Sequence, residues 1–327
     1  MRFILILILL PFSIFSQEKD SLKIKVSGFL ETYYAYDFSS PTTDSKLPFM
    51  YNYNRHNEFN VNNGLIRAQL QYGNTYASIA VHAGTYVDDN YASEDIKLVS
   101  EAYVGMYLND NKKSSIEVGI MPSYIGFESA TTASNLTLTR SILAENSPYF
   151  MTGIKYNYKP NDKWSFSGLV TNGWQRINRP DKTVTPALGT QIIYKPSEKA
   201  TLNWSTFIGK EFYQTELAMR YFSNLYWDNT WNSKWRTILG FDFGVQDSSS
   251  MNDEHLFWMS PVFIAQYSIN PKWQTAVRVE YYQDEDNVIV ATSDAFKTSG
   301  ASINFDYLLN SKVKLRTEAR YFDSKEA

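Results

Sequence analysis

The sequence predicts an all-β protein: a transmembrane antiparallel β-barrel of about sixteen strands. Three observations carry that prediction. Apolar and polar side chains alternate along most of the chain. At residues 273–282, Trp273, Thr275, Val277, Val279 and Tyr281 share one face, and Gln274, Ala276, Arg278, Glu280 and Tyr282 the other. Aromatic residues are abundant, with 24 Tyr, 20 Phe and 8 Trp. The N-terminus reads as a secretory leader. Mean hydropathy is negative, as expected when half of each strand faces water.

The leader takes residues 1–16, with Arg2 as its basic start, Phe3 to Leu10 as its apolar run and Ser13 to Ser16 as the cleavage region before Gln17. The run is too short to cross ~30 Å of hydrocarbon, and no later segment reaches the ~20 apolar residues of a helical span. Residues 17–327 then form one barrel. The chain has no cysteine, which excludes a lipoprotein anchor, disulfides and thiolate metal sites. A net charge of −3 argues against a nucleic-acid partner. At 327 residues, one barrel is large enough to enclose a channel rather than a packed core.

About fifteen outward rows can be read in order. The first five are Ile24, Val26, Leu30, Tyr34, Tyr36; Ile66, Ala68, Leu70, Tyr72; Ala77, Ile79, Val81; Ala102, Val104, Met106, Leu108; and Ile116, Val118, Ile120. Then come Phe150, Ile154, Tyr156, Tyr158; Trp164, Phe166, Val170; and Leu188, Ile192, Tyr194. Leu202, Trp204 and Phe207 break the alternation and suggest a bulge. The rest are led by Leu217, Trp235, Phe263, Trp273, Ala301 and Val313. A closed barrel needs an even count, and the polar end Ser324 to Ala327 lacks a terminal aromatic. The expectation is a chain cut in its last outer loop, one strand short of closure.

Short connections carry turn chemistry: Gly73-Asn74, Asn109 to Asn111, Pro160 to Asp162, Pro196-Ser197, Asn229 to Ser233, Asn270-Pro271 and Asn310-Ser311. Trp164, Trp235 and Trp273 follow such turns; Tyr72, Tyr158, Tyr194 and Trp227 precede them. These are positions for an aromatic girdle at the periplasmic interface, in contact with outer-membrane lipid. The long connections, among them 39–56, 88–95, 247–255 and 284–294, are polar and acidic and read as extracellular. Asp88, Asp89, Asp253 and Glu254 match no calcium-loop spacing and read as solvated.

Residues 121–147 are the longest stretch without alternation. Asn135 to Glu145 reads as a short helical or compact piece, with Leu136, Leu138, Ile142 and Leu143 near helical spacing. The segment is expected to fold into the lumen, so that Arg140 and Glu145 project into the aqueous path. The remaining pore-lining candidates are the inward charges. Glu31, Asp37, Arg67, Glu101 and Glu117 lie on the early strands; Arg220, Arg236, Asp242, Arg278, Glu280, Arg316, Glu318 and Arg320 lie on the later ones. Two readings stand. Acid on one wall and arginine on the other would set a transverse field. Alternatively, neighbours such as Arg278/Glu280 and Arg316/Glu318 neutralise each other locally.

No catalytic or cofactor signature appears. His56, His82 and His255 lack metal-ligand spacing, and there is no nucleophile elbow, phosphate loop or dinucleotide fingerprint. His82 falls on the inward register, which weakens a lipid-hydrolase reading. No metal and no cofactor are expected, and the chain does not read as an enzyme.

Starting from GFLETYYAYDFSSP at residues 28–41, the chain resembles the β-barrel porins of the second type (OmpL-like). The likeness continues through NEFNVNNGLIRAQL at residues 57–70. It is clearest in IEVGIMPSYIGFESA, NLTLTRSILAE and PYFMTGIKYNYKPNDKWSFSGLVTNGW, between residues 116 and 174. The resemblance implies an outer-membrane porin of a kind frequent in Bacteroidota, without a cofactor and with no defined solute. The expected function is passive diffusion of small hydrophilic solutes. The alternatives are a non-conducting structural or adhesive barrel and, further off, a lipid hydrolase. A homotrimer is common at this size.

Overall fold

The computed structural model describes residues 21–39, 47–179, 185–249 and 254–324. The expected leader lies outside them. The first strands are β1 (Lys23–Tyr34), β2 (Phe59–Tyr72), β3 (Thr75–Ala83), β4 (Val99–Tyr107), β5 (Ser114–Pro122), β6 (Phe150–Tyr158), β7 (Trp164–Thr171) and β8 (Ala187–Ser197). They continue with β9 (Ala200–Tyr213), β10 (Glu216–Thr230), β11 (Trp235–Asp247), β12 (His255–Asn270), β13 (Trp273–Asp284), β14 (Phe296–Leu308) and β15 (Lys314–Ser324). Each strand pairs antiparallel with the next, giving one fifteen-stranded meander. Among the described residues β1 and β15 do not pair with each other. They nevertheless flank the same interior residue: Thr132 donates its hydroxyl to Glu31 on β1 and accepts from Arg316 on β15 through its carbonyl at 2.9 Å. The sheet therefore curls back on itself around its contents.

The alternation read from the sequence sets the two faces. Ile24, Ile66, Val104, Leu225, Leu239 and Val279 stand exposed on the outside, the apolar face that the alternation predicts. Four short turns share one local device. Asn161, Asn232, Asn270 and Asn310 each accept the backbone N–H groups two and three residues on, at 2.8 to 3.0 Å. This Asx geometry fixes hairpin length and hence strand register. In three of these turns a tryptophan follows and packs against the tyrosine directly across the ladder: Trp164 on Tyr194 at 4.3 Å, Trp235 on Tyr267 at 4.8 Å and Trp273 on Tyr307 at 4.7 Å.

Two outward assignments are corrected. Phe207 is fully buried, β9 keeps its register through residues 202–208, and Ile208 continues the exposed row. The bulge lies instead between Tyr194 and Ser197. Phe150 is also buried, covered by Tyr91 and Ile177. Alternation cannot reveal that a loop will cover a strand end. Gly119 and Gly153 sit opposite one another on β5 and β6. A Cβ at either would lie 2.1 Å from a carbonyl oxygen of the adjoining strand, and Gly119 has φ +134°, a conformation open to glycine.

The interior departs from an open, water-filled lumen. One cluster gathers Phe49, Ile142, Phe207, Trp258, Tyr282 and Phe296, and two smaller ones pack beside it. The long connections supply much of this filling. Phe49 and Met50 tuck inward. Helix α1 (Thr85–Asn90), which runs into the acidic 88–95 region, buries Tyr86 and Val87. Asp284 accepts the amides of Val288, Ile289 and Val290 and so folds the next connection onto the cluster. Acidic loops that read as solvated thus bury their apolar residues in the interior clusters.

Candidate functional site: the inserted loop and its polar cavity

Residues 121–147 run through the interior, tied to both walls. Leu138 N donates to Asn304 Oδ1 at 3.0 Å, Thr139 N to Glu318 Oε2 at 2.6 Å and Ile142 N to Glu280 Oε2 at 2.7 Å. On the opposite side Tyr124 donates to Thr206 O at 2.6 Å. The helical piece is shorter than expected. A 3-10 turn spans Thr132–Ser134 and helix α2 only Ile142–Glu145, capped by the Ser141 hydroxyl. Leu136 and Leu138 lie in non-helical backbone. Backbone groups of this stretch are satisfied by wall side chains instead, which removes the need for a helix.

The ion groups on the last strands form one network at the centre of this anchoring. Arg278 is fully buried and donates to Glu318 Oε1 at 2.7 Å, Thr139 O at 2.7 Å and Thr137 Oγ1 at 3.0 Å. It also lies 3.1 Å from Glu280 Oε1. Arg320 donates to Glu280 Oε1 at 2.6 Å and to Arg140 O at 2.9 Å. Arg316 pairs with Asp306 at 2.8 Å, not with Glu318, and also holds Thr132 O and Asn135 O. Elsewhere Arg236 pairs with Asp228 at 2.6 Å, Lys155 with Glu117 at 3.5 Å, and Arg67 with Glu101. Arg220 donates to Gln246 and lies against the rings of Trp174 and Trp258, and Asp242 accepts from Asn224. Local pairing is thus the arrangement observed for the interior charges, and Arg316/Glu318 is not among the pairs. Asp37 lies beyond β1 in a loop, with its carboxylate on Ser39.

Arg140 and Glu145 are both buried, and of the two only Arg140 borders a cavity. Glu145 accepts from Tyr51 N, Asn52 Nδ2 and the Tyr149 hydroxyl, joining α2 to the first long loop. Glu31 likewise accepts from Tyr53 OH and Asn62 Nδ2. Arg140 lies with its guanidinium 3.7 Å from the centre of the Tyr149 ring and donates Nη2 to Ala144 O at 2.5 Å. It borders a cavity of ≈ 240 Å³ between the loop and the walls of β2 and β4. Arg67, Glu101, Asn63 and Glu128 line the same space. Glu128 accepts Ser141 N and Oγ on Oε2. Burial raises its carboxyl above the usual range, opposed by Arg278, Ser141 and Arg140. Sequence reasoning missed Glu128 and Asn63. The legible signal for the latter was Asn62-Asn63 inside a strand, where asparagine is disfavoured.

The family model described as "Putative beta-barrel porin-2, OmpL-like" matches residues 23–327. The chain belongs to that porin family. This places it in the outer membrane, with a channel role. Solved structures share the fold. OmpT of Vibrio cholerae in its trimer form aligns with TM-score 0.63 at 10% identity, covering 93% of this chain and 90% of that one. The outer membrane channel DcaP of Acinetobacter baumannii gives 0.63 at 13%, covering 94% and 96%. An anion-selective porin from Comamonas acidovorans gives 0.60 at 11%, covering 94% and 90%. At such identities the likeness establishes architecture only. No curated protein matches the sequence. The histidines of this porin lie apart: His82 is interior, within 3.0 Å of Lys97 O, His56 accepts Asp37 N, and His255 meets Asp247 at 2.9 Å. No cluster of potential metal ligands occurs among the described residues.

Proposed function

We propose that this porin is a passive diffusion channel for small hydrophilic solutes, whose path runs past the inserted loop along the β2–β4 wall. The observation that carries the reading is the polar cavity bordered by Asn63, Arg67, Glu101, Glu128 and Arg140, inside a sheet whose interior also holds a large packed cluster. Arg67, half-buried, lines it beside Glu101. A path this narrow favours small solutes and low conductance. Single-channel recording in a planar bilayer tests it. Discrete, steady steps are expected; a folded, inserted barrel that passes no current would sink the reading. The packed cluster around Phe49, Trp258 and Tyr282 favours a second reading, a plugged structural barrel, in that event.

A homotrimer is part of the proposal. The outer faces of β1 to β5 carry mainly aliphatic and small residues, such as Val26, Ala68, Ile79 and Val118, whereas β7 to β14 carry the Trp–Tyr pairs suited to lipid interfaces. A smooth aliphatic wall suits contact with a second copy. Crosslinking between β3 positions of neighbouring copies in the membrane would support it, and purely monomeric products would count against it.

A further inference from the structure

We propose that the cavity between the inserted loop and the β2–β4 wall is a binding station for small zwitterions, molecules bearing one carboxylate and one ammonium group. This rests on the channel reading above and names its solute class.

The argument begins with unspent hydrogen-bonding capacity. Arg140 is 2% exposed. Its Nη2 is used by Ala144 O, yet Nε and Nη1 meet no acceptor among the described residues. Glu128 spends Oε2 on Ser141, and its Oε1 meets no donor. Asn63 donates Nδ2 to Ala130 O at 3.5 Å, and its Oδ1 meets no donor. All three residues line the one cavity. The arginines of β13 and β15 set the contrast. Arg278, Arg316 and Arg320 each hold a carboxylate within 3.1 Å, while Arg140 has no such partner among the described residues. A buried charge without a counter-charge is costly. Here one cation and one carboxylate border the same space with donors and acceptors to spare.

That combination selects for charge of both signs on one solute. A carboxylate fits Arg140, whose face is already braced on Tyr149. An ammonium group fits Glu128 Oε1 and Asn63 Oδ1. A simple anion would satisfy Arg140 while facing the acceptors of Glu128 and Asn63. A simple cation would meet Arg140. The Arg67–Glu101 pair on the rim is neutral as a unit and prefers neither sign. Tyr86 and Tyr91 supply an aromatic wall for an apolar side chain.

Three probes of nearly the same skeleton separate the possibilities: leucine, 3-methylbutylamine and 4-methylpentanoate, added to single channels in a planar bilayer. Leucine is expected to interrupt the current at concentrations about ten-fold below either singly charged analogue. Arg140→Gln and Glu128→Gln are each expected to weaken the leucine effect by about ten-fold, the loss of one charge-assisted hydrogen bond. Equal interruption by all three probes, or an unchanged leucine effect in Arg140→Gln, would overturn the proposal. Should the barrel pass no current, the channel reading fails separately, and calorimetric titration of leucine into detergent-folded protein decides the station. Binding that is lost in Glu128→Gln supports it; no binding to the unsubstituted protein overturns it.

Discussion

Replacing Arg278 by glutamine tests whether the ion network holds the inserted loop. Arg278 has no exposed side-chain surface, and Glu280 and Glu318 are almost as deeply enclosed. Removing the cation leaves both carboxylates short of a partner, and breaking a buried pair in this way costs about 3–5 kcal/mol. Compensation remains. Glu318 keeps Thr139 N at 2.6 Å and Oγ1 at 2.9 Å. Glu280 keeps Arg320 at 2.6 Å and Ile142 N at 2.7 Å. The expected loss therefore sits at the lower end, about 3 kcal/mol. Guanidinium unfolding from phospholipid vesicles, followed by tryptophan fluorescence, measures it. The same variant should give noisier current, because Thr137 and Thr139 lose their hold on β13. A loss below about 1 kcal/mol, the worth of an exposed pair, with current noise unchanged, would refute the idea that this network pins the loop.

Three further outcomes follow from the geometry. Gly119→Ala should destabilise the barrel by at least roughly 1–3 kcal/mol, the cost of its backbone conformation, with a further loss because its Cβ would meet Ala102 O at 2.1 Å; vesicle refolding of this variant measures the loss. Trp273→Ala should cost about 0.5–1.5 kcal/mol beyond lost area for its ring contact with Tyr307, whereas interior Trp258→Ala should cost about 3–5 kcal/mol; equal losses in the same unfolding assay would contradict these placements. Glu128, whose carboxyl is raised by burial, binds its proton more tightly folded than unfolded. Its favourable contribution is present below the ordinary carboxyl range and is lost as pH rises through the folded value. The stability deficit of the natural protein relative to Glu128→Gln should therefore shrink on acidification from neutral pH, and a deficit that grows would reverse the assignment.

Strand order and facing were legible because both rest on local rules. Side chains alternate by covalent geometry, and a lipid-exposed wall forces that alternation into the sequence, as at Trp273 to Tyr282. Turn chemistry is equally local, so Asn161, Asn232, Asn270 and Asn310 could be read as hairpin ends. The errors fell where a second layer covers the first: Phe150 beneath Tyr91, and Phe207 within the interior cluster.

The sequence by itself determined a membrane-facing barrel wall, because a periodicity of two is a property of each strand alone. Only the tertiary structure decided what fills that wall. Arg316 meets Asp306 rather than Glu318, and Phe49 reaches Phe296, with ring centres 4.8 Å apart across nearly the whole chain. Arg140 and Glu128 come to face one cavity with Asn63 of a distant strand. Such pairings depend on where a non-repeating loop settles among many inward side chains. That choice is made by summed burial and hydrogen-bond satisfaction over the whole interior, and no local pattern records it.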